Sequence, residues 1–229
     1  MDKRDHDRKL IEYLDQYITD NKKQKFDQVL NERTRQLTVV LEDIFKTHNA
    51  SAVLRTTECM GLQDVHIVEQ VNKFDFNPYV LRGAAKWVTV HHYKDEAQLN
   101  IKCCYDQLRN EGYKIYATSP HHAVDYRNVD LSGKIAVVFG AEETGISDYA
   151  RDHADALISI PMMGFTESYN ISVSAGIIME FYNHAIRKSD GWQLSEEEKF
   201  SLLTEWYQKV VPKIDVHLKH FNQNLSQLK

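Results

Sequence analysis

Between residues 37 and 187, short apolar segments alternate with longer segments that have helical spacing of apolar residues. Short apolar runs bounded by Gly, Pro or polar residues are typical of strands, and apolar residues three and four apart are typical of helices. The order predicts an α/β fold in which a mostly parallel sheet is flanked by helices. Strands are predicted at 37–42, 64–69, 87–93, 113–119, 134–140 and 156–161, and helices at 48–60, 95–111 and 170–187.

Terminal segments with helical character flank this central region. Residues 8–34 carry apolar side chains at helical spacing among mixed charges, which fits a solvated amphipathic helix pair or an RNA-binding appendage. Ser195 followed by Glu198 forms a capping box, and Pro212 should start a new helix or kink this one. We therefore expect an N-terminal helical extension at 1–36, a central domain at 37–190 and a C-terminal helical extension at 191–229.

The net charge of the chain bears on whether it binds nucleic acid. The chain has a formal net charge of −5, which by itself favours an ordinary metabolic enzyme over a nucleic-acid-binding protein. Residues 1–36 carry nine basic and eight acidic side chains, and residues 184–229 carry seven and six, so the negative charge lies in the centre. Any RNA would be held by local basic patches.

Targeting signals are not found in the sequence. The N-terminal residues are charged and lack the apolar stretch of a secretory signal, and no apolar run approaches the roughly 20 residues of a membrane span. Three cysteines without paired spacing suit a reducing compartment. We expect a cytoplasmic protein without a membrane partner.

The first segment with chemical potential spans residues 48–61, directly after a predicted strand. Asn49 is a predicted helix N-cap, and Arg55 follows six residues later. One interpretation is a cap and a surface arginine. The other is a helix N-terminus that faces a phosphate, with the arginine beside it.

The second segment joins an apolar strand to Gly140, Glu142, Glu143 and Gly145. Glycines at a strand end permit a tight turn and the close approach of a ligand, and ligands of open parallel sheets bind at that edge. The Lys-Ser/Thr pair of a phosphate-binding loop does not follow, and the chain has no Gly-x-Gly-x-x-Gly sequence. The phosphate-binding loop is therefore excluded, and a dinucleotide-binding Rossmann domain is less favoured.

The third segment runs from a strand that ends at Pro161 through Gly164 to a helix that begins near Ser168 and Asn170. Taken alone, it is a loop with good capping residues. Two adjacent histidine pairs, at 91–92 and 121–122, are not expected to bind metal, because neighbouring strand residues point to opposite faces.

In this order the three segments resemble the motifs of the SpoU-type (SPOUT) RNA ribose 2′-O-methyltransferases. The motifs are Asn49 with Arg55 and Gly61, then Val-Phe-Gly-Ala-Glu-x-x-Gly-Ile-Ser at 138–147, then Ile-Pro-Met-x-Gly at 160–164 and Ser-x-Asn-x-Ser-Val-Ser at 168–174. The resemblance covers about 37–184, and the short terminal helices look most like the TrmH branch, which methylates guanosine 18 of tRNA. It implies a C-terminal trefoil knot, although knots are rare, and a homodimer with the active site near the subunit interface.

The resemblance also implies S-adenosylmethionine as the cofactor and no metal, because a sulfonium loses its positive charge as its methyl group is transferred. The family's functional positions correspond to Asn49, Arg55, Glu142, Ser168 and Asn170. The cofactor pocket would lie around Thr118, Ser119, Gly140, Ile160, Met162, Ser168 and Asn170.

Arg55 corresponds to the family's catalytic arginine, proposed to activate the ribose hydroxyl, a role that conflicts with the very high pKa of a guanidinium. Either a substrate phosphate assists the proton transfer, or Arg55 only positions the ribose and phosphate. Glu142 could orient Arg55, hold its own loop, or lie exposed to water.

Three functions stay open at this point. They are methylation of tRNA, the same reaction on ribosomal RNA, and RNA binding without catalysis. The short N-terminal segment favours tRNA, and the intact set of five polar residues argues against a catalytically silent protein.

Overall fold

A seven-stranded sheet forms the centre of the molecule, as the alternating sequence pattern predicts. The structure is a computed structural model that describes residues 3–71 and 83–227. The strands are β1 (Leu37–Glu42), β2 (Asp64–Val68), β3 (Thr89–Tyr93), β4 (Tyr113–Thr118), β5 (Val124–Asp125), β6 (Lys134–Phe139) and β7 (Ala156–Ser159). They lie in the order β3-β2-β1-β6-β4-β7-β5, and every neighbouring pair is parallel. The carboxyl ends of all strands therefore meet at one edge.

The helices are α1 (Lys3–Leu14), α2 (Asp20–Leu30), α3 (Thr47–Cys59), α4 (Asn100–Asn110), α5 (Asp148–Asp152), α6 (Ile171–Ile186), α7 (Glu196–Val210) and α8 (Ile214–Gln227). Contacts divide the chain into two units: residues 34–192, and residues 1–33 together with 193–229. The N- and C-terminal helices thus belong to one unit. The predicted domain boundaries near residues 36 and 190 stay predictions.

The sheet of the larger unit is covered on both faces. Val39 and Leu41 of β1 belong to one apolar cluster, with Val53 of α3 and Ile178 of α6. Val40 points to the opposite face and belongs to a second cluster, with Cys104 of α4. Alternate residues of a strand point to opposite faces, so this pattern is what a doubly covered sheet requires. The predicted α/β architecture is confirmed.

The terminal helices pack around aromatic side chains. The rings of Phe26 and Trp206 lie 5.6 Å apart, and the guanidinium of Arg33 lies 5.6 Å from the Trp206 ring. The capping box is confirmed, because the Ser195 hydroxyl accepts from the Glu198 backbone and the Glu198 carboxylate accepts from the Ser195 backbone. Pro212 lies between α7 and α8, so it separates two helices.

Several sequence-based boundaries differ from the structure. The two short elements β5 and α5 were not predicted. The helix predicted from residue 95 begins at Asn100, because the Asp95 carboxylate accepts from the Ala97 backbone and forms a turn instead. The trefoil knot implied by the family resemblance stays a prediction. Among the described residues, no helix has the length and apolarity needed to cross a bilayer.

Candidate active site

Three neighbouring strands, β6, β4 and β7, end together at the carboxyl edge of the sheet. The Thr118 hydroxyl donates to the Val138 carbonyl at 3.0 Å, and the Ser119 backbone donates to the Ile158 carbonyl at 3.0 Å. These bonds tie the end of β4 to both neighbouring strands. Five of the residues predicted to line a cofactor pocket lie at or just after the ends of these adjacent strands: Thr118, Ser119, Gly140, Ile160 and Met162.

The connection from β6 to α5, residues 140–147, is a tight loop that we call the β6–α5 loop. Ala141 and Gly145 exchange two backbone hydrogen bonds of 3.0 and 2.9 Å across it. A β-carbon on Gly140 would lie 2.1 Å from the carbonyl carbon of Gly145 and 2.2 Å from the nitrogen of Ile146. The loop's own backbone thus requires a glycine at position 140, whether or not a ligand also approaches there.

Asn49 lies in the first turn of α3 and joins two other segments. The predicted N-cap role is wrong, because α3 begins at Thr47 and Asn49 is already helical. The Asn49 side chain is buried, with only 3% of the residue exposed. Its amide donates to the carboxylate of Glu142, and its oxygen accepts from the amide of Asn170 at 3.1 Å. The structure therefore brings together one of the predicted functional residues from each motif.

Asn170 also ends the loop before α6 by capping that helix. Its side-chain oxygen accepts from the Ser172 backbone at 2.9 Å and from the Ser172 hydroxyl at 2.6 Å. The N-termini of α3 and α6 are thereby held close to the carboxylate of Glu142. Helix N-termini carry partial positive charge, so an acidic side chain is electrostatically favoured at this place.

The other two predicted functional residues lie outside this network. Arg55 is exposed, further along α3, and no described residue forms an ion pair or side-chain hydrogen bond with its guanidinium. Ser168 is exposed in the loop before α6. Glu142 is exposed and contacts Asn49 and not Arg55, so the geometry agrees with a carboxylate that holds its own loop and also faces water.

Glu42 is a buried acidic residue that the sequence reasoning missed. It ends β1, is 3% exposed, and accepts a hydrogen bond from the Ser147 backbone at 3.0 Å. Burial raises the pKa of the Glu42 carboxyl above its usual value, and the contacts with Ser147 partly oppose that shift. A charged residue at the end of a mostly apolar strand was the available signal.

A second polar cluster lies on β2 and β3. The buried Asp64 carboxylate accepts from Arg35 at 2.8 Å and contacts the His91 ring at 3.0 Å. The ring of His66 stacks on that of His91, with centroids 4.5 Å apart. Burial, followed by the nearby charge of His91, lowers the pKa of His66 to about 3. Among the described residues, no three acidic, histidine or cysteine side chains are grouped so that they could hold a metal ion.

The sequence and the fold were compared with known proteins. The family model described as the SpoU rRNA Methylase family matches residues 36–180. The chain is 43% identical over 205 residues to a tRNA (guanosine(18)-2′-O)-methyltransferase of Borreliella burgdorferi, covering 89% of this chain and 92% of that protein. It is 33% identical over 195 residues to the enzyme of the same name from Thermus thermophilus, covering 83% and 98%.

Solved structures resemble the fold as well. A TrmH/SpoU tRNA modifying enzyme of A. aeolicus has a TM-score of 0.72 and 29% identity, covering 83% of this chain and 96% of that one. An AdoMet-bound rRNA methyltransferase from Sinorhizobium meliloti has a TM-score of 0.59 at 21% identity, covering 68% and 58%. The latter shares the fold alone.

Proposed function

The chain belongs to the SpoU rRNA Methylase family, and from this membership we propose that it transfers a methyl group from S-adenosylmethionine to a ribose 2′-hydroxyl of RNA, at guanosine 18 of tRNA. The observation that carries the choice of tRNA is the match to the Borreliella burgdorferi enzyme. That match spans 205 residues and therefore extends beyond residues 36–180 of the family model. This chain also spans 92% of that relative, so the relative has little sequence without a counterpart here.

The cofactor would lie on the loops that follow β4, β6 and β7. When bound, S-adenosylmethionine supplies an electrophilic methyl group on a sulfonium. Backbone groups of Thr118, Ser119 and Gly140 suit the polar edges of adenine and ribose, and the half-buried side chains of Ile160 and Met162 suit the flat ring. Ser168 and Asn170 complete the pocket that we propose. The side chains of all seven proposed pocket residues are uncharged, and we propose that the cofactor binds without a metal ion.

Arg55 would hold the phosphate next to the target ribose. Its guanidinium is exposed and forms no ion pair with any residue in the described ranges, so a substrate phosphate can bind it by two parallel hydrogen bonds. Because the guanidinium stays protonated, it positions the ribose and does not accept the hydroxyl proton. That proton passes either to the bound phosphate or to water. The hydrogen bond between Asn49 and Glu142 would hold the start of α3, the helix that carries Arg55, in place.

We also propose that the protein is a homodimer. Exposed apolar side chains in the loop before α6 and in its first turn support this: Met163 is 93% exposed, Phe165 is fully exposed, and Tyr169 and Val173 are each 47% exposed. Several exposed apolar side chains on one segment are typical of an interface. The helical spacing of α6 would also offer Ile177, Ile178 and Phe181 to a partner, but Ile178 is buried in the chain's own core and the partly buried Phe181 packs against that core. Light scattering that shows a monomer at micromolar concentration would reject the dimer.

The activity is tested with methyl-labelled S-adenosylmethionine and separate pools of tRNA and ribosomal RNA. We expect label in tRNA, lost when guanosine 18 is replaced by its 2′-deoxy analogue, and unchanged when a chelator is added. Label only in ribosomal RNA would point to the alternative substrate. Binding of RNA without any label in either pool would indicate a catalytically silent protein.

A further inference from the structure

The β6–α5 loop crosses the carboxyl edge of the sheet and is attached on both sides of it. On one side, Glu142 accepts a hydrogen bond from Asn49 at the start of α3. On the other side, the backbone of Ser147 donates to the carboxylate of Glu42 at 3.0 Å. The two attachment points on the loop, Glu142 and Ser147, are close together in the chain.

Glu42 lies on the sheet face opposite to α3. Val40, two residues earlier on β1, packs in the cluster that contains Cys104 of α4, whereas Leu41 packs in the cluster that contains α3. Because strand residues alternate between faces, Glu42 shares the face of Val40. The β6–α5 loop is therefore held by Glu42 on the face of the sheet opposite to α3, and by Asn49 on the α3 side.

The backbone of the β6–α5 loop has little conformational freedom. Ala141 and Gly145 are paired by two backbone hydrogen bonds, and the backbone of Gly145 passes against Gly140. The Ser147 hydroxyl accepts from the backbone of Ala150 at 3.1 Å, so the last residue of the loop is also the cap of α5. A displacement of Ser147 would therefore be transmitted to Glu142.

We infer that Glu42 is a positioning residue, whose buried carboxylate fixes the β6–α5 loop in the conformation that brings Glu142 to Asn49. The inference deepens the proposed function, on which it rests. A carboxylate that is 3% exposed costs free energy to bury, and a strand could end on an apolar residue at no such cost. The hydrogen bond from the Ser147 backbone offsets part of this cost and at the same time holds the loop.

The test compares Glu42→Ala and Glu42→Gln with Thr38→Val. Thr38 lies on the same strand and the same face, is fully buried, and donates a hydrogen bond to the Asp64 carbonyl at 2.8 Å, near the opposite end of β1 from Glu42. Its substitution removes a buried hydrogen bond without touching the β6–α5 loop. The readouts are hydrogen exchange of the Ala141 and Gly145 amides, S-adenosylmethionine affinity by calorimetry, and kcat and KM with tRNA.

We expect Glu42→Ala to raise the exchange rates of both loop amides and to lower cofactor affinity and kcat by about tenfold, with KM for tRNA nearly unchanged. Glu42→Gln keeps one acceptor oxygen and should fall between Glu42→Ala and the wild type. Thr38→Val should leave the loop amides and the kinetics unchanged even if it lowers the melting temperature. Should Glu42→Ala fail to fold, the Glu42→Gln variant carries the same comparison.

The inference is overturned if both Glu42 variants show wild-type exchange of the loop amides, or if Thr38→Val slows catalysis as much as Glu42→Ala does. Amide exchange requires neither cofactor nor RNA. A wild-type protein without methyltransferase activity, but with loop amides that respond to Glu42, would therefore reject the proposed function and support the role of Glu42.

Discussion

Asn49 donates a side-chain hydrogen bond to the carboxylate of Glu142, a residue 93 positions later in the chain. The same Asn49 side chain accepts from Asn170 through its oxygen. Only a side chain that donates and accepts at once can serve both partners, which explains an amide at this buried position. The start of α3, the β6–α5 loop and the start of α6 thus form one connected unit.

Replacing Asn49 with Asp should disrupt this unit. Aspartate still accepts from Asn170, but it has no donor for Glu142, and it sets a carboxylate at a buried position against the exposed carboxylate of Glu142. We expect a loss of about 2 to 3 kcal/mol of transition-state stabilisation, or about a hundredfold in methylation rate. Steady-state kinetics with labelled cofactor and tRNA measure it.

Adding Glu142→Gln to Asn49→Asp supplies the control. The amide that this substitution introduces at position 142 can donate to the new carboxylate, so the pair is restored with donor and acceptor exchanged. We expect the double variant to be more active than Asn49→Asp alone. A double variant that is less active than either single variant would show that Glu142 acts in catalysis other than through Asn49.

Gly140 offers a second prediction. Gly140→Ala should distort the β6–α5 loop, because the added carbon would overlap backbone atoms of Gly145 and Ile146 that have no flexible side chain to move aside. Calorimetry should show at least about tenfold weaker S-adenosylmethionine binding. Gly83→Ala, which lies before β3 and outside the loops after β4, β6 and β7, is the matched control because an added β-carbon there has no atom within 4 Å. Equal affinities in both variants would place the cofactor away from the β6–α5 loop.

The sequence predicted the sheet well because its longer strands are rich in apolar residues and end near Gly, Pro or a charged residue, as 134–140 and 37–42 do. The two-residue strand β5 and the five-residue helix α5 lack such a run, since they form only where tertiary contacts and the Ser147 cap hold them. Propensity gives no signal for elements of that length.

The candidate site was predicted only in part, for a different reason. Motif residues could be named from the sequence, but not which of them touch. Asn49 has the residue type of a helix cap, and the helix begins two residues earlier because the tertiary contacts of Asn49 fix its place within the first turn. Glu42 was overlooked because its partner, the backbone of Ser147, lies 105 residues away and carries no side-chain signature.

His66 gives a prediction about acid stability. Its pKa is lowered to about 3 in the folded protein, from 6.5, because burial disfavours the charged ring. As the pH falls below 6.5, the unfolded chain takes up a proton that folded His66 does not, so the free energy of unfolding decreases until the pH reaches about 3. This loss should reach at most about 1.4 kcal/mol per pH unit.

The measurement is chemical denaturation of wild type and His66→Gln between about pH 4 and about pH 7. The variant should show a smaller decrease in unfolding free energy on acidification, whatever its stability at neutral pH. His184→Gln, which removes an exposed ring on α6, is measured in the same way as the control for the loss of a histidine. If His66→Gln and the wild type have the same slope, His66 takes up its proton in the folded state.

Arg55 provides the most direct test of the proposed chemistry. Arg55→Ala should abolish methylation while leaving S-adenosylmethionine affinity nearly intact, because Arg55 lies outside the loops after β4, β6 and β7. Arg55→Lys keeps the charge but loses the planar pair of donors, so it should also be badly impaired. Calorimetry for the cofactor and label incorporation into tRNA separate binding from catalysis. A lysine variant with near wild-type turnover would mean that Arg55 acts as a point charge, and an active alanine variant would make it an ordinary surface residue.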